Sequence, residues 1–163
     1  MAAINNDVSA EGIDVLPEEV QICLFSIGED LYAVPIEIVI EIIISQKIFP
    51  IPTTPSHVLG IINLRGNIVP IVDIRQLLTL PHQSVPDQIV IVKHGSMMLG
   101  IVVDNVSAVI AIPAIYVQPI PSEMGPQQAA RSRTRFMHGI IQRDTGVAAL
   151  LNIERIIDEI KLV

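Results

Sequence analysis

A chain of 163 residues and 17.8 kDa, half hydrophobic with a mean hydropathy of +0.57, can bury a core without disulfides or metals and is too apolar to stay unfolded. Isoleucine (30) and valine (18) favour pleated surfaces over a long coiled coil, and 3% aromatics with no Trp leave little for single-stranded nucleic acid to stack on. Ten Lys and Arg against 17 Asp and Glu give a net charge of −7, the wrong sign for a general phosphate-backbone binder.

The charge is uneven. Residues 1–19 carry five acids (Asp7, Glu11, Asp14, Glu18, Glu19) and no base, and read as a solvated, disordered tail ahead of a domain over 20–163. No basic n-region followed by an apolar stretch opens the chain, so no secretory signal is expected. The longest uncharged stretches, 48–64 and 105–122, hold three prolines each and lack the unbroken apolar length of a bilayer span. A cytoplasmic location follows as the expectation, and the single cysteine, Cys23, reads as a buried small hydrophobe.

Beyond the tail, Val20 to Ile27 is apolar at nearly every position, which suggests a strand covered on both faces. Gly28-Glu29-Asp30 turns it and Leu31 to Val34 returns. Pro35 can open a short helix, with Ile36, Val39, Ile40 and Ile43 at helical spacing; the run Ile42 to Ile48 fits strand and helix equally. Pro50, Pro52 and Pro55 keep the next segment extended. Two strands, Val58–Leu64 and Ile68–Val72, then flank a tight turn at Arg65-Gly66-Asn67. Asp73 with Gln76 forms a capping-box pattern before Leu77 and Leu78. A second hairpin joins Ile89–Val92 to Leu99–Val103, and a third joins Ile140–Gln142 to Val147–Leu151. An amphipathic helix capped by Asn152, with Ile153, Ile156, Ile157 and Ile160 on one face, closes the chain. Segments 68–73 and 99–104 both end an apolar strand on Val-Asp, an echo too short to establish a repeat. The pattern is mainly β and reads as small barrels with short helices.

Reaction chemistry is poorly supplied. His57, His82, His94 and His138 share no metal-ligand spacing, no glycine-rich loop suits a phosphate, and no serine sits in a nucleophile elbow. Asp73 and Asp104 as a pair of catalytic carboxylates compete with a helix cap and a strand end, the commoner roles. Arg131, Arg133 and Arg135 in the irregular stretch 119–135 offer an anion or acidic-partner site, or a solvated loop. Arg65 interrupts a long uncharged stretch at a strand tip. It is either a turn residue facing water or an anchor between two surfaces.

Gly60-Ile61-Ile62-Asn63-Leu64-Arg65-Gly66 followed by Pro70-Ile71-Val72-Asp73-Ile74-Arg75 resembles the signature of the CheW family of chemotaxis coupling proteins. Further matches are Phe25-Ser26-Ile27-Gly28 with Tyr32, Val39-Ile40-Glu41-Ile42, Gly100-Ile101-Val102-Val103-Asp104 with Val106, and Asn152-Ile153, so the resemblance spans about 20–160. It implies two small five-stranded, Src-homology-3-like β-barrels around a shared core. It also implies a non-enzymatic, cofactor-free scaffold joining the cytoplasmic tips of methyl-accepting chemoreceptors to the regulatory domain of a CheA-type histidine kinase. Matching positions place the receptor groove at Val39, Glu41, Gly60 and Arg65, and the kinase edge near Asn67 and Ile68. Flagellar chemotaxis and type IV pilus motility are both compatible pathways, and the chain reads as the stand-alone form, without a kinase or receiver domain. The competing class is a small barrel that binds a ligand in its interior. What separates the two is whether those interiors are filled with aliphatic side chains or hold an open polar pocket.

Overall fold

The two-sided apolar run forms β1 (Glu19–Ile27) in a computed structural model that describes residues 18–78, 80, 87–120 and 134–161. Gly28 and Glu29 turn the chain into β2 (Asp30–Pro35). Pro35 then sits at the N-cap of a single 3-10 turn, Ile36–Ile38, and the chain continues at once as β3 (Val39–Ile44). The helix expected through Ile43 is therefore not formed beyond Ile38. A Val-Ile-Glu-Ile-Ile-Ile run is crowded at χ1 in a helix and fits a pleat. It pairs antiparallel with residues 88–92. The hairpin β4 (Val58–Leu64) and β5 (Asn67–Val72) is followed by α1 (Ile74–Leu78). A second hairpin is β6 (Gln88–His94) and β7 (Met97–Val103). Next come β8 (Asn105–Pro113), a 3-10 turn over Ala114–Tyr116 and a two-residue β9 (Val117–Gln118). The third hairpin, β10 (Met137–Arg143) and β11 (Gly146–Leu151), leads into α2 (Ile153–Lys161). Asn152 caps α2, its Oδ1 accepting from the Arg155 amide at 3.1 Å.

The capping box at Asp73 is only half made. Asp73 Oδ1 accepts from the Arg75 amide, but the Asp73 amide donates to the His57 carbonyl, and Gln76 accepts from Ser56 Oγ. Glu18 and Glu19, expected in the tail, are bonded into the domain: Glu19 pairs with Pro113, and the Glu18 carbonyl accepts from Ala114. Residues 1–17 lie outside the described residues, as do Arg131 and Arg133. Arg135 is described: it pairs with Glu159 and lies over the Phe136 ring, an anchored side chain rather than a freely solvated one.

Two sheets result, ordered β9-β10-β11-β2-β1-β8 and β3-β6-β7-β5-β4. As hydrogen-bonded ladders they are open, with six and five strands rather than five and five closed. The chain itself joins the edges. β8 and β9, the outer strands of the first sheet, are separated by one 3-10 turn. In the second, Phe49, just beyond β3, makes a reciprocal backbone bridge to Ile61 on β4.

Three apolar clusters fill the space. Ile22, Leu24, Ala33, Ile112, Ile141, Ala148 and Leu150 fill the six-stranded unit, and Ile62, Leu64, Val69, Ile71, Ile89, Ile91 and Val102 fill the five-stranded one. The largest cluster lies between the sheets, where Cys23, Phe25 and Ile27 from β1 meet Val90 and Val92 from β6, with Leu77, Ile156 and Ile157 from the helices. Alternate residues of β1 and β6 thus serve two cores, which is why both runs are apolar throughout. Each fully buried Ile or Leu contributes about 2 kcal/mol of transfer free energy.

The two units share a repeated half. Both boundaries of β4 and of β5, and the start of α1, recur 79 positions later in β10, β11 and α2, and β5 and β11 have the same burial pattern. The Val-Asp echo has a different origin: its two segments are the parallel neighbours β5 and β7 within one sheet.

Candidate functional site

The β4–β5 turn is made by Arg65 and Gly66, both at positive φ (50° and 89°), the geometry that matches a two-residue hairpin to the twist of its strands. Asn63 Oδ1 fixes it by accepting from the Gly66 amide at 2.8 Å. A left-handed arginine costs about 1 kcal/mol against an ordinary backbone conformation. That conformation projects the guanidinium from the tip, where its Nη1 and Nη2 donate to Glu41 Oε2 and Oε1 at 2.5 and 2.6 Å.

Glu41 reaches this position through a bulge. Val39 is opposite Val92, but Glu41 is opposite Ile91, so one extra residue re-aims the strand between them. Val39 remains half-buried against the inter-sheet core. The two hydrogen bonds from Arg65 hold the Glu41 carboxyl below its usual range, and the same contact raises the Arg65 guanidinium. Arg65 is nevertheless 70% exposed, so a forked cation-carboxylate surface faces outward. The pair also ties β3 to the β4–β5 turn, linking the two edge strands of the five-stranded sheet as the Phe49–Ile61 bridge does elsewhere.

The six residues singled out from the sequence therefore separate by role. Glu41 and Arg65 are in direct contact. Asn67 and Ile68 begin β5 beside the same turn, opposite Leu64 and Asn63, with Ile68 60% exposed. Gly60 is a backbone requirement: its φ is +147°, and a Cβ there would fall 2.2 Å from the Phe49 carbonyl oxygen. Gly60 and Arg65, matched to a receptor, thus share the β4–β5 hairpin with Asn67 and Ile68, matched to a kinase, while Val39 and Glu41 lie on β3.

Sequence reasoning passed over two features. The first is the row Ile40, Ile42 and Ile44 on β3, continued by Phe49 and Ile51, all exposed. Alternation along 40–44 carries that signal, which the helical spacing of Ile36, Val39, Ile40 and Ile43 and the open reading of Ile42 to Ile48 leave unused. The second is Arg75, which is buried between Asp73 and Asp104, its guanidinium 3.4 and 3.3 Å from their Oδ1 atoms. The two aspartates that suggested paired carboxylates hold a structural guanidinium. Among the described residues no group of three His, Cys, Asp or Glu is placed to hold a metal. A shallow cleft of about 160 Å³, lined by Arg135, Phe136, Arg155, Asp158 and Glu159, lies outside both barrel interiors.

Comparison with known families decides the classification: residues 21–161 match the model of the CheW-like domain. The chain belongs to that family. It is 30% identical over 145 residues to the chemotaxis protein CheW of Treponema pallidum (85% of this chain, 82% of that protein). It is 28% identical over 142 residues to the chemotaxis protein CheW of Helicobacter pylori (86% and 82%) and 28% identical over 145 residues to protein FrzA of Myxococcus xanthus (86% of each). Among solved structures, the scaffolding protein TtCheW of Thermoanaerobacter tengcongensis superposes with a TM-score of 0.72 at 31% identity, covering 83% of this chain and 89% of that one. The two-sheet architecture with a shared core is thus that of a CheW scaffold.

Proposed function

We propose that this chain is a non-enzymatic scaffold that binds a chemoreceptor tip and the regulatory domain of a CheA-type histidine kinase at the same time, through separate parts of its outer surface. The observation that carries this reading is where the exposed large hydrophobics lie. Six of the ten among the described residues (Ile40, Ile42, Ile44, Phe49, Ile51, Ile68) belong to the five-stranded unit or its closing segment, and the other four (Val109, Ile115, Tyr116, Val147) belong to the six-stranded unit. Apolar side chains left outside a packed domain mark contact surfaces, and most of them lie on the five-stranded unit that also holds all six candidate receptor and kinase positions. The interiors offer nothing comparable. Both are packed with aliphatic side chains, which favours a role for the outer surface over a ligand-binding interior. No helix among the described residues is long and apolar enough to cross a membrane.

The Glu41–Arg65 fork offers the receptor a paired charge, with the exposed isoleucines of β3 on the alternating face of the same edge strand; Val39 and Gly60 shape the surface around the fork. Asn67 and Ile68 extend it towards the kinase. Joining two partners on one rigid body raises the effective concentration of each for the other, so modest individual affinities suffice. The test is a reconstituted kinase assay with receptor fragments tethered to vesicles. The wild-type chain is expected to raise kinase autophosphorylation at least tenfold. Arg65→Glu is expected to abolish that rise while keeping a folded circular dichroism spectrum, because an exposed ion pair contributes little to stability. Activation unaffected by Arg65→Glu would remove the fork from the receptor surface.

A further inference from the structure

Asp104 is the residue at which the chain leaves the five-stranded sheet, after β7, and enters the six-stranded one at β8. It is held from both sides. Its Oδ1 accepts from Arg75 Nη2 at 3.3 Å, on the helix that follows β5. Its Oδ2 accepts from the Gly28 amide at 2.6 Å, in the β1–β2 turn of the other sheet, and its own amide donates to the Ser26 carbonyl at 2.9 Å. Arg75 is anchored in turn, since its backbone amide donates to Asp73 Oδ1 at 3.0 Å and its side chain is only 2% exposed.

A second hydrogen bond crosses between the sheets, from the Val106 amide on β8 to Gln88 Oε1 on β6 at 2.7 Å, and the cluster that fills the space between them is aliphatic and aromatic packing. Such packing is strong but non-directional and tolerates small rotations. Charge-assisted hydrogen bonds are short and directional, and a carboxylate shared between two bodies lets neither rock without losing one of its contacts. A buried ion pair is weak evidence for stability; its better-attested use is to select one arrangement among several apolar ones. We infer that the Arg75–Asp104 pair is a positioning device that fixes the angle between the two sheets, and that signal transfer between the two partners depends on this angle separately from the binding of either. The inference rests on the coupling role proposed above.

Asp104→Asn tests it, because the amide keeps the size and an acceptor for Gly28 but loses the charge that holds Arg75. Spin labels at Lys93→Cys on β6 and Val109→Cys on β8 report the inter-sheet distance in the free chain. Cys23 is fully buried and its thiol is pushed up by that burial, so it takes no label. The distance distribution is expected to at least double in width in Asp104→Asn. Kinase activation should fall at least tenfold while binary binding to receptor fragment and kinase domain each changes less than twofold. An unchanged distribution, a broadened one with full activation, or a matching loss of binary binding would overturn the inference. Failure of the wild-type chain to activate any kinase would instead refute the coupling role, and the functional half of the inference with it. Should Asp104→Asn not fold, Arg75→Lys carries the same test, since an ammonium keeps the charge but not the fork.

Discussion

Two titrating side chains give the domain separate pH windows. His57 is buried, and its Nε2 has no hydrogen-bond partner among the described residues. Burial lowers its pKa below 6.5, with the negative charge of Glu159 opposing that shift in part. The folded state therefore binds a proton on His57 more weakly than the unfolded state does. Its contribution is complete above about pH 6.5 and is lost as pH falls through the lowered folded value. The Glu41 carboxyl, lowered by Arg65, loses its contribution only when pH drops below the ordinary 4.5 of a free glutamate. Melting temperature should consequently decline between pH 7.5 and 5.5 in the wild-type chain, and His57→Gln should flatten that part of the profile. A wild-type profile already flat over this range would show that His57 titrates normally. Neither group announced its state in the sequence. Arg65 stood out as a lone charge in an apolar stretch, but its partner Glu41 lies 24 residues away and reaches it only through the β3 bulge. Arg75 stood in the sequence only as part of a motif, because nothing local reveals a carboxylate 29 positions on.

At the level of elements, hairpins read well and edges did not. Turn chemistry at Arg65-Gly66 and the polar breaks at 94–96 and 144–146 set strand registers locally, so all three of those hairpins form, with strand ends within two residues of expectation except at β10, which starts three residues earlier. β3 was ambiguous because a β-branched run satisfies both periodicities, and its partner β6 lies more than 40 residues further on. β8 passed unassigned among prolines and uncharged residues, although it pairs with β1 over nearly its whole length. The two edge closures differ in a way that can be measured. Gly60 combines positive φ with a Cβ position 2.2 Å from the Phe49 carbonyl, whereas its repeat equivalent Gly139 needs no positive φ and would place a Cβ 2.6 Å from the Gln118 carbonyl. Gly60→Ala should cost about 2 kcal/mol or more, lowering the melting temperature by roughly 4–8 °C. Gly139→Ala should cost less, and calorimetry giving the opposite order would contradict this reading of the Phe49 bridge.

Across the molecule, two barrel-like units meet on one apolar core and are joined by polar contacts at Asp104 and between Val106 and Gln88. Their kinship was faint in the sequence, where Gly-Ile-Ile at 60–62 and 139–141 is the longest clear match in the repeated half. Backbone spacing preserves it far better than residue identity does, because turns and bulges constrain length while interiors accept any aliphatic side chain of similar volume. Family membership and the mainly β fold were legible from ordered motifs; the number of strands per sheet and the polar contacts between the units were not. Exposed apolar side chains lie on both units among the described residues, most of them on the unit that holds the Glu41–Arg65 fork. The most direct measurement is light scattering after size exclusion of the chain mixed with a receptor fragment and a kinase regulatory domain. The coupling role predicts one peak with the mass of all three components, and no association of receptor fragment with kinase domain when the chain is left out. Displacement of one partner by the other, with only two-component peaks at any ratio, would contradict it.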